Sequence, residues 1–438
     1  MSVPSGFRAL PLPLIQLSLA AVLKCGQSFR WSIYPLPAST PSEPSHEYRL
    51  CLRDRVVCLR QSPDTLFYRS VFAGPPPHPP DDAREAETLT WLKDYFQLDV
   101  DLVKLYDEWS ERDPVFRSFR TRFEGIRMLR QDPWENLISF ICSSNNNISR
   151  ITKMVKSLCK QYSPPLLSLP PPTFTLGSLH TPPLDPPEPP ELEVEEFHPF
   201  PPPSSLARPD VSATLRSLGF GYRADFIQKT AQMLIDEHGA DKASDCQEAP
   251  EMWLRTLRDM PTPEARLELL KLMGVGRKVA DCVMLMSLDK KEVIPIDTHV
   301  HQIAIKHYGM RGTSGTKQAM NPKLYDEINA KLCKVWGDYA GWAHSVLFTA
   351  DLKSFASYGL PTPSPTPVKR SSPSAVVEDD TLPPPLPLPT TIRKSRKRKQ
   401  LTETIAVAPA AISDTSSPMV LQEAGSLAER VKRRRRQG

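Results

Sequence analysis

Two glycines, Gly274 and Gly276, interrupt an otherwise helical run and force the chain to turn. Ahead of them, Glu264–Lys271 places its apolar residues at helical spacing. Behind them a second helix starts near Arg277 and runs through Val283-Met284-Leu285-Met286. Both glycines can take a positive φ, which a tight hairpin needs and a side chain opposes. The stretch reads as helix, hairpin, helix. Such a hairpin presents bare backbone N–H groups at a helix start, where anions bind, and glycines let a nucleic-acid phosphate come close.

Lys278 falls in the first turn of the second helix. The positive end of the helix dipole disfavours its ammonium form, and a free amine can attack a sugar C1′ to give a Schiff base. Asp297 lies nineteen positions on, after Pro295, where a helix can start. It can cap that helix and also steady positive charge at C1′ during bond cleavage. A plainer reading makes the hairpin a DNA-docking element, Lys278 a phosphate contact and Asp297 only a cap. The combination of Lys278 and Asp297 at this spacing speaks for chemistry instead. Leu272–Cys282, followed by Ile294–His299, resembles the catalytic core of the helix–hairpin–helix DNA glycosylases, and in its details the 8-oxoguanine DNA glycosylases. Met273 stands where that family often carries proline; the hairpin glycines are intact.

The resemblance implies roles for other segments. Cys25-Gly26-Gln27-Ser28-Phe29-Arg30-Trp31 is similar to the family segment whose glycine carbonyl accepts a hydrogen bond from N7–H, a hydrogen that the oxidised purine has and guanine lacks. Gly26 would carry that discrimination. Asn145-Asn146-Asn147-Ile148-Ser149-Arg150 matches the stretch that probes the base opposite the lesion, with Asn145 and Arg150 as candidates to bond an orphaned cytosine. Gly219–Ala224 would be a reader loop, with Tyr222 as a wedge in the duplex and Arg223 on the opposite base. An enzyme that extrudes a base needs such a filler, because unstacking costs a few kcal/mol per step. His299, at a helix start, would donate to a phosphate beside the flipped nucleotide.

Trp336–Asp351 matches the stretch that walls the base pocket. Phe348 would stack on the base and Cys282 would flank its other side. His344 departs from the glutamine that reads the Watson–Crick edge in this family. A neutral histidine offers one donor and one acceptor, so recognition there takes an altered form.

Composition sets the limits around this core. Of 48 prolines, 15 fall in Ser163–Leu206 and 12 beyond Leu360, so the folded body is expected to be shorter than the 438-residue chain. Ser163–Leu206, acidic and Pro-rich, reads as an insertion in a surface loop. The net charge of +5 is concentrated in the tail, in Arg393–Lys399 and Arg430–Arg436, so bulk charge argues only weakly for DNA and any binding face is local. The two basic clusters predict nuclear localisation, with mitochondria as a further compartment. Eight scattered cysteines with no CxxC pair predict a reduced compartment and no zinc site. Only Cys333 follows Asp297, which speaks against the iron–sulfur branch of the superfamily. His299 and His301, at i and i+2, do not share a helix face, so no metal pair is expected there. The apolar run Leu10–Leu23 is broken by Pro11, Pro13 and Gln16 and is too short to span a membrane.

Strands are expected at Phe29–Tyr34, Tyr48–Leu52, Val56–Arg60 and Leu66–Phe72, and helices at Glu85–Gln97, from Asp132-Pro133-Trp134, over Ile148–Tyr162 and from Pro209. The expected fold class is α+β: an N-terminal antiparallel sheet domain (1–124) beside a helical helix–hairpin–helix domain (125–355, with 163–206 as a disordered insertion). A disordered basic tail (356–438) follows. The implied function is bifunctional excision of 8-oxoguanine opposite cytosine, with β-elimination through a lysine Schiff base. No cofactor or metal is expected, the partner is lesion-bearing double-stranded DNA, and the protein is expected to act as a monomer. Two readings stand beside it: a glycosylase for another purine lesion, and a non-catalytic DNA-binding protein built on the same hairpin.

Overall fold

The computed structural model describes residues 3–38, 40–74, 82–172, 194–244, 247–310 and 321–360. The loop Pro75–Pro80, the middle of the Pro-rich insertion and both basic clusters lie outside the described residues.

Five strands form one antiparallel sheet: β1 (Arg8–Pro11), β2 (Ser32–Pro35), β3 (His46–Cys51), β4 (Arg55–Gln61) and β5 (Thr65–Phe72), in the order β1-β5-β4-β3-β2. A single turn of helix, α1 (Leu19–Val22), lies between β1 and β2. Successive side chains of a strand face opposite ways. In β4, Val57 and Leu59 pack toward Leu92 and Phe96, on and just beyond α2 (Asp82–Tyr95), while Val56 and Cys58 join Phe7 and Phe67 in a separate cluster. Both faces of β4 are covered, which is why Val56–Leu59 is a continuous apolar run rather than an alternating one.

One expectation changes. The strand expected to begin at Phe29 begins at Ser32, because the preceding residues are spent on buried side-chain contacts. The broken apolar run opens on the end of a strand: β1 pairs with β5, Arg8 opposite Tyr68 and Pro11 opposite Thr65. Pro11, which has no N–H to give, is tolerated because β1 is an edge strand.

The helices follow in order: α3 (Leu102–Arg112), α4 (Pro114–Arg120), α5 (Pro133–Ile141), α6 (Ile148–Tyr162), α7 (Pro203–Ala207), α8 (Val211–Ser217) and α9 (Arg223–His238). After these come α10 (Ala249–Thr256), α11 (Thr262–Lys271), α12 (Arg277–Ser287), α13 (Thr298–Tyr308), α14 (Pro322–Trp336) and α15 (Ala340–Asp351). Asp132 caps α5 as its sequence predicts, accepting from the backbone N–H of Trp134 at 3.0 Å and Glu135 at 3.1 Å, and Pro133 fills the first helical position. One core unites α5, α6 and α7–α12 through Leu137, Leu158, Ala231, Leu254, Leu269 and Val283. A second joins α3 and α4 to α13–α15, with Trp109 and Phe116 buried beside Trp342 and Val346.

The reading of Ser163–Leu206 as an unpacked insertion is corrected at both ends. Strand β6 (Leu167–Leu169) pairs antiparallel with β7 (Glu195–Phe197), and Phe197 covers the sheet beside Val56 and Cys58. Phe200 and Leu206 enter the helical core, and Trp134 Nε1 donates to the Pro201 carbonyl at 2.9 Å. A few large apolar residues among the prolines suffice to bury these stems. The tail boundary at 356 is also corrected. Tyr358 stacks on Phe123 with ring centroids 5.7 Å apart, and its hydroxyl lies 2.8 Å from Ser18 Oγ. Arg122 Nε donates to the Tyr358 carbonyl at 2.6 Å. No helix among the described residues is long and apolar enough to cross a membrane.

Candidate active site

Helices α11 and α12 form the two arms of the hairpin. Gly274 takes φ +79°, while Gly276 is extended at φ −94° and ψ 176°. The expectation that both glycines serve the turn through positive φ therefore holds for Gly274 alone. Gly276 is the N-cap residue of α12, so Lys278 sits in its first turn. Asp281, fully buried on α12, accepts from Arg266 Nε of α11 at 2.8 Å and from the Tyr325 hydroxyl of α14 at 2.6 Å. One carboxylate thus ties both arms of the hairpin to a third helix.

Asp297 caps α13 with one oxygen, which accepts from the backbone N–H of His299 at 2.9 Å and of Val300 at 3.0 Å. Lys278 Nζ lies 4.9 Å above the centroid of the Phe140 ring and donates to Ser143 Oγ at 3.3 Å. Cys282 follows one turn after Lys278 and is buried. Burial pushes its thiol up to about 11, opposed by the Lys278 ammonium and reinforced by the Asp297 carboxylate. Phe348 and His344 project from α15 with their rings 5.9 Å apart, and His299 meets Phe348 edge-on at the same separation. His299 Nδ1 also lies 3.2 Å from Asp351 Oδ2.

His344 is 6% exposed, and neither ring nitrogen has a hydrogen-bond partner among the described residues. Burial lowers its pKa to about 4; the Asp297 carboxylate opposes that shift and the Lys278 ammonium adds to it. His344 is thus a neutral imidazole buried near a lysine and a carboxylate. Lys278, Cys282, Asp297, His344 and Phe348 therefore come from three helices to one place.

The segment before β2 divides its labour. Gln27 Nε2 donates to the Arg127 carbonyl at 3.1 Å, and Trp31 Nε1 donates to the Tyr95 hydroxyl at 3.1 Å. Arg30 holds Glu135 of α5 bidentately at 2.9 and 2.6 Å. These anchors join sheet to helices and leave Gly26 at φ +90°, with Ile148 of α6 so near that an added Cβ would stand 2.9 Å from its Cδ1.

The two expected reader segments are in contact. Of the three asparagines, Asn146 Nδ2 donates to the Cys142 carbonyl at 2.9 Å, and Asn147 caps α6 through the Arg150 N–H at 3.0 Å. Asn145 is exposed, at φ +48°. Arg150 Nη2 donates to the Gly219 carbonyl at 3.1 Å. Tyr222 is 45% exposed and its hydroxyl donates to the Ser144 carbonyl at 3.1 Å. Arg223, expected on the opposite base, is 3% exposed, and its guanidinium donates to the carbonyls of Ser144 and Asn145. Its position at the start of α9, facing the loop between α5 and α6, turns it inward.

Comparison with known proteins identifies this assembly. Residues 9–137 match the family model for the 8-oxoguanine DNA glycosylase N-terminal domain, and 138–324 match that of the HhH-GPD superfamily of base excision DNA repair proteins. N-glycosylase/DNA lyase of Saccharomyces cerevisiae is 34% identical over 363 residues, 79% of this chain and 86% of that protein. The chain belongs to the 8-oxoguanine DNA glycosylase/lyase family. N-glycosylase/DNA lyase OGG1 of Arabidopsis thaliana is also 34% identical, over 78% of this chain and 80% of its own length. The fold is shared with the Clostridium acetobutylicum 8-oxoguanine glycosylase/lyase solved with double-stranded DNA containing cytosine opposite 8-oxoG. That likeness has a TM-score of 0.56 and 24% identity, covering 76% of this chain and 91% of that one. The chain is thus a DNA-binding base-excision repair glycosylase with AP lyase activity, on an α+β fold with a five-stranded antiparallel sheet.

Sequence reasoning about this glycosylase missed Phe140 and Ser143 beside the lysine, and Asp351 beside His299. Ser143 stands just before the asparagine stretch, and nothing in its spacing from Lys278, 135 positions on, signals contact. Among the described residues, no three His, Cys, Asp or Glu side chains converge as a metal set.

Proposed function

We propose that this glycosylase excises 8-oxoguanine paired with cytosine, with Lys278 as nucleophile. The observation that carries the reading is the grouping of Lys278, Asp297 and the unpartnered His344 around Phe348 and Cys282. The Lys278 amine bonds to C1′ as the C1′–N9 bond breaks; the base leaves with that electron pair and takes up a proton. Asp297 steadies the positive charge that gathers on the sugar. Loss of the amine proton and ring opening give the Schiff base. Loss of a C2′ proton then expels the 3′ phosphate with its electron pair, nicking the strand.

Phe348 stacks on the flipped base, Cys282 lines its other side, and the Gly26 carbonyl accepts N7–H. His344 meets the Watson–Crick edge as a neutral imidazole. Asn145 and Arg150, both exposed, address the orphaned cytosine, and Tyr222 fills the stack. The amides after Gly274 and Gly276, together with His299, take phosphates. The protein acts as a monomer, and its basic clusters direct it to the nucleus.

The test is cleavage of a duplex carrying one 8-oxoguanine opposite each of the four bases, with borohydride added. The expected result is preference for cytosine and a covalent protein–DNA adduct at Lys278, absent in Lys278→Gln. An adduct at another lysine, or excision by Lys278→Gln, overturns the assignment.

A further inference from the structure

The segment 293–296, which leads to Asp297, is buried yet belongs to no helix or strand. Buried backbone N–H and C=O groups need partners, and this segment finds them on one face of α14. Cys333 Sγ donates to the Glu292 carbonyl at 3.4 Å and Asn329 Nδ2 to the Ile294 carbonyl at 3.3 Å, while the Tyr325 hydroxyl accepts from the Ile296 N–H at 3.0 Å. Residues 325, 329 and 333 stand four apart on a helix, an advance of about 6 Å per step. Residues 292, 294 and 296 alternate along the segment, about 6.6 Å per step where the chain is extended. The steps match, so α14 serves the segment much as a neighbouring strand would. Pro295, which has no N–H to satisfy, falls between two rungs.

Tyr325, the rung nearest Asp297, makes a second bond. Its hydroxyl donates to Asp281 Oδ2 at 2.6 Å. An amide N–H can only donate and a carboxylate only accept, so both roles of the hydroxyl are fixed. Asp281 stands on α12 three residues after Lys278, and the Tyr325 ring carries the Arg277 guanidinium 4.2 Å from its centroid. One buried hydroxyl therefore spans the helix of the nucleophile and the residue before Asp297. We propose that Tyr325 is a positioning residue, whose hydroxyl fixes where Asp297 stands relative to Lys278 and thereby sets the rate of base excision. Arg266 also holds Asp281, at 2.8 Å, so α12 keeps an anchor when the hydroxyl is removed. The Ile296 N–H has no second partner among the described residues, so the Asp297 side is the one that shifts. The inference rests on the function proposed above and adds to it the means by which two distant segments are held in register.

The test uses the full chain in excess over DNA, below the unfolding temperature of each variant. Three quantities are measured: single-turnover excision from a duplex with 8-oxoguanine opposite cytosine, nicking of a duplex with a preformed abasic site, and the dissociation constant for the lesion duplex. Tyr325→Phe keeps the ring under Arg277 and removes only the hydroxyl. It is expected to slow excision about ten-fold, the scale of one buried hydrogen bond, with affinity changed by less than about two-fold. Nicking at the abasic site, where no base leaves and no positive charge gathers on the sugar, should slow by less than about three-fold. A loss of fold alone would lower both rates together. In the Asp297→Asn protein, adding Tyr325→Phe should cost less than about two-fold more, because the hydroxyl acts through that carboxylate. Asn329→Leu, one rung down, should show the same imbalance at about three-fold. Unchanged excision, equal slowing of excision and nicking, losses confined to affinity, or losses that multiply with Asp297→Asn overturn the proposal. If Tyr325→Phe does not fold, the balance of excision and nicking in Asn329→Leu decides alone. Absence of excision by the unmutated protein would instead overturn the underlying function, and this proposal with it.

Discussion

Gly274 lies so close to Phe226 of α9 that an added Cβ would stand 2.6 Å from its Cβ and Cγ. The hairpin turn is therefore seated on α9 by the absence of a side chain, on top of the positive φ that already favours glycine. Gly276, extended and with nothing within 4 Å of a built Cβ, is under neither constraint.

Gly274→Ala should therefore lose about 2–4 kcal/mol of stability, from backbone strain and overpacking together. Gly276→Ala should change stability by less than about 1 kcal/mol while weakening DNA binding, because its methyl group stands where a phosphate approaches. Thermal unfolding and duplex binding on both variants separate the two effects. Equal stability losses would contradict this division.

Asp297 has a structural task that can be separated from its chemical one. Asp297→Asn keeps an oxygen able to accept from His299 and Val300, so stability should hold while excision slows on the order of a hundred-fold. Asp297→Ala should lose the cap as well, about 1 kcal/mol. Excision rates and unfolding midpoints for both variants check this, and full activity in Asp297→Asn would reduce the residue to a cap.

Burial holds His344 neutral down to about pH 4, against an ordinary imidazole value of 6.5. Between those values the unfolded chain binds a proton that the folded protein excludes. Stability from this group is therefore intact above pH 6.5 and falls as the pH drops toward 4, by up to about 3 kcal/mol. His344→Gln should be less sensitive to acid than the unmutated protein across that window in urea unfolding. It should also keep lesion binding, because glutamine offers both a donor and an acceptor. His344→Ala should weaken lesion binding several-fold, the loss of one hydrogen bond of about 1 kcal/mol. Identical pH slopes would remove His344 from the acid response.

Truncation after Leu360 should leave excision in vitro intact and reduce nuclear accumulation, since the basic clusters lie beyond it. Truncation after Lys353 should destabilise the protein, because it removes Phe355 from the core and Tyr358 from Phe123, Ser18 and Arg122. Activity assays, unfolding midpoints and cell imaging distinguish the two. Limited proteolysis of the full chain should likewise leave it uncut between Lys353 and Tyr358.

What the sequence determined was local. Glycines at 274 and 276 between apolar helices dictate a turn, a lysine two residues after the cap must lie in the first helical turn, and Asp132 and Asp297 before helices must cap them. Each depends on dihedral preferences and hydrogen bonds within a few residues, so the pattern carries them without help. The stems of the Pro-rich insertion were hidden because proline count outweighs three phenylalanine and leucine contacts until the sheet that receives Phe197 exists. Tertiary structure alone decided that Arg223 turns inward to the Asn145 loop, that Ser143 meets Lys278, and that His344 is buried without a close hydrogen-bond partner among the described residues. Those relations join residues dozens to more than a hundred positions apart. They depend on the angles at which packed helices cross, which no local run of residues encodes.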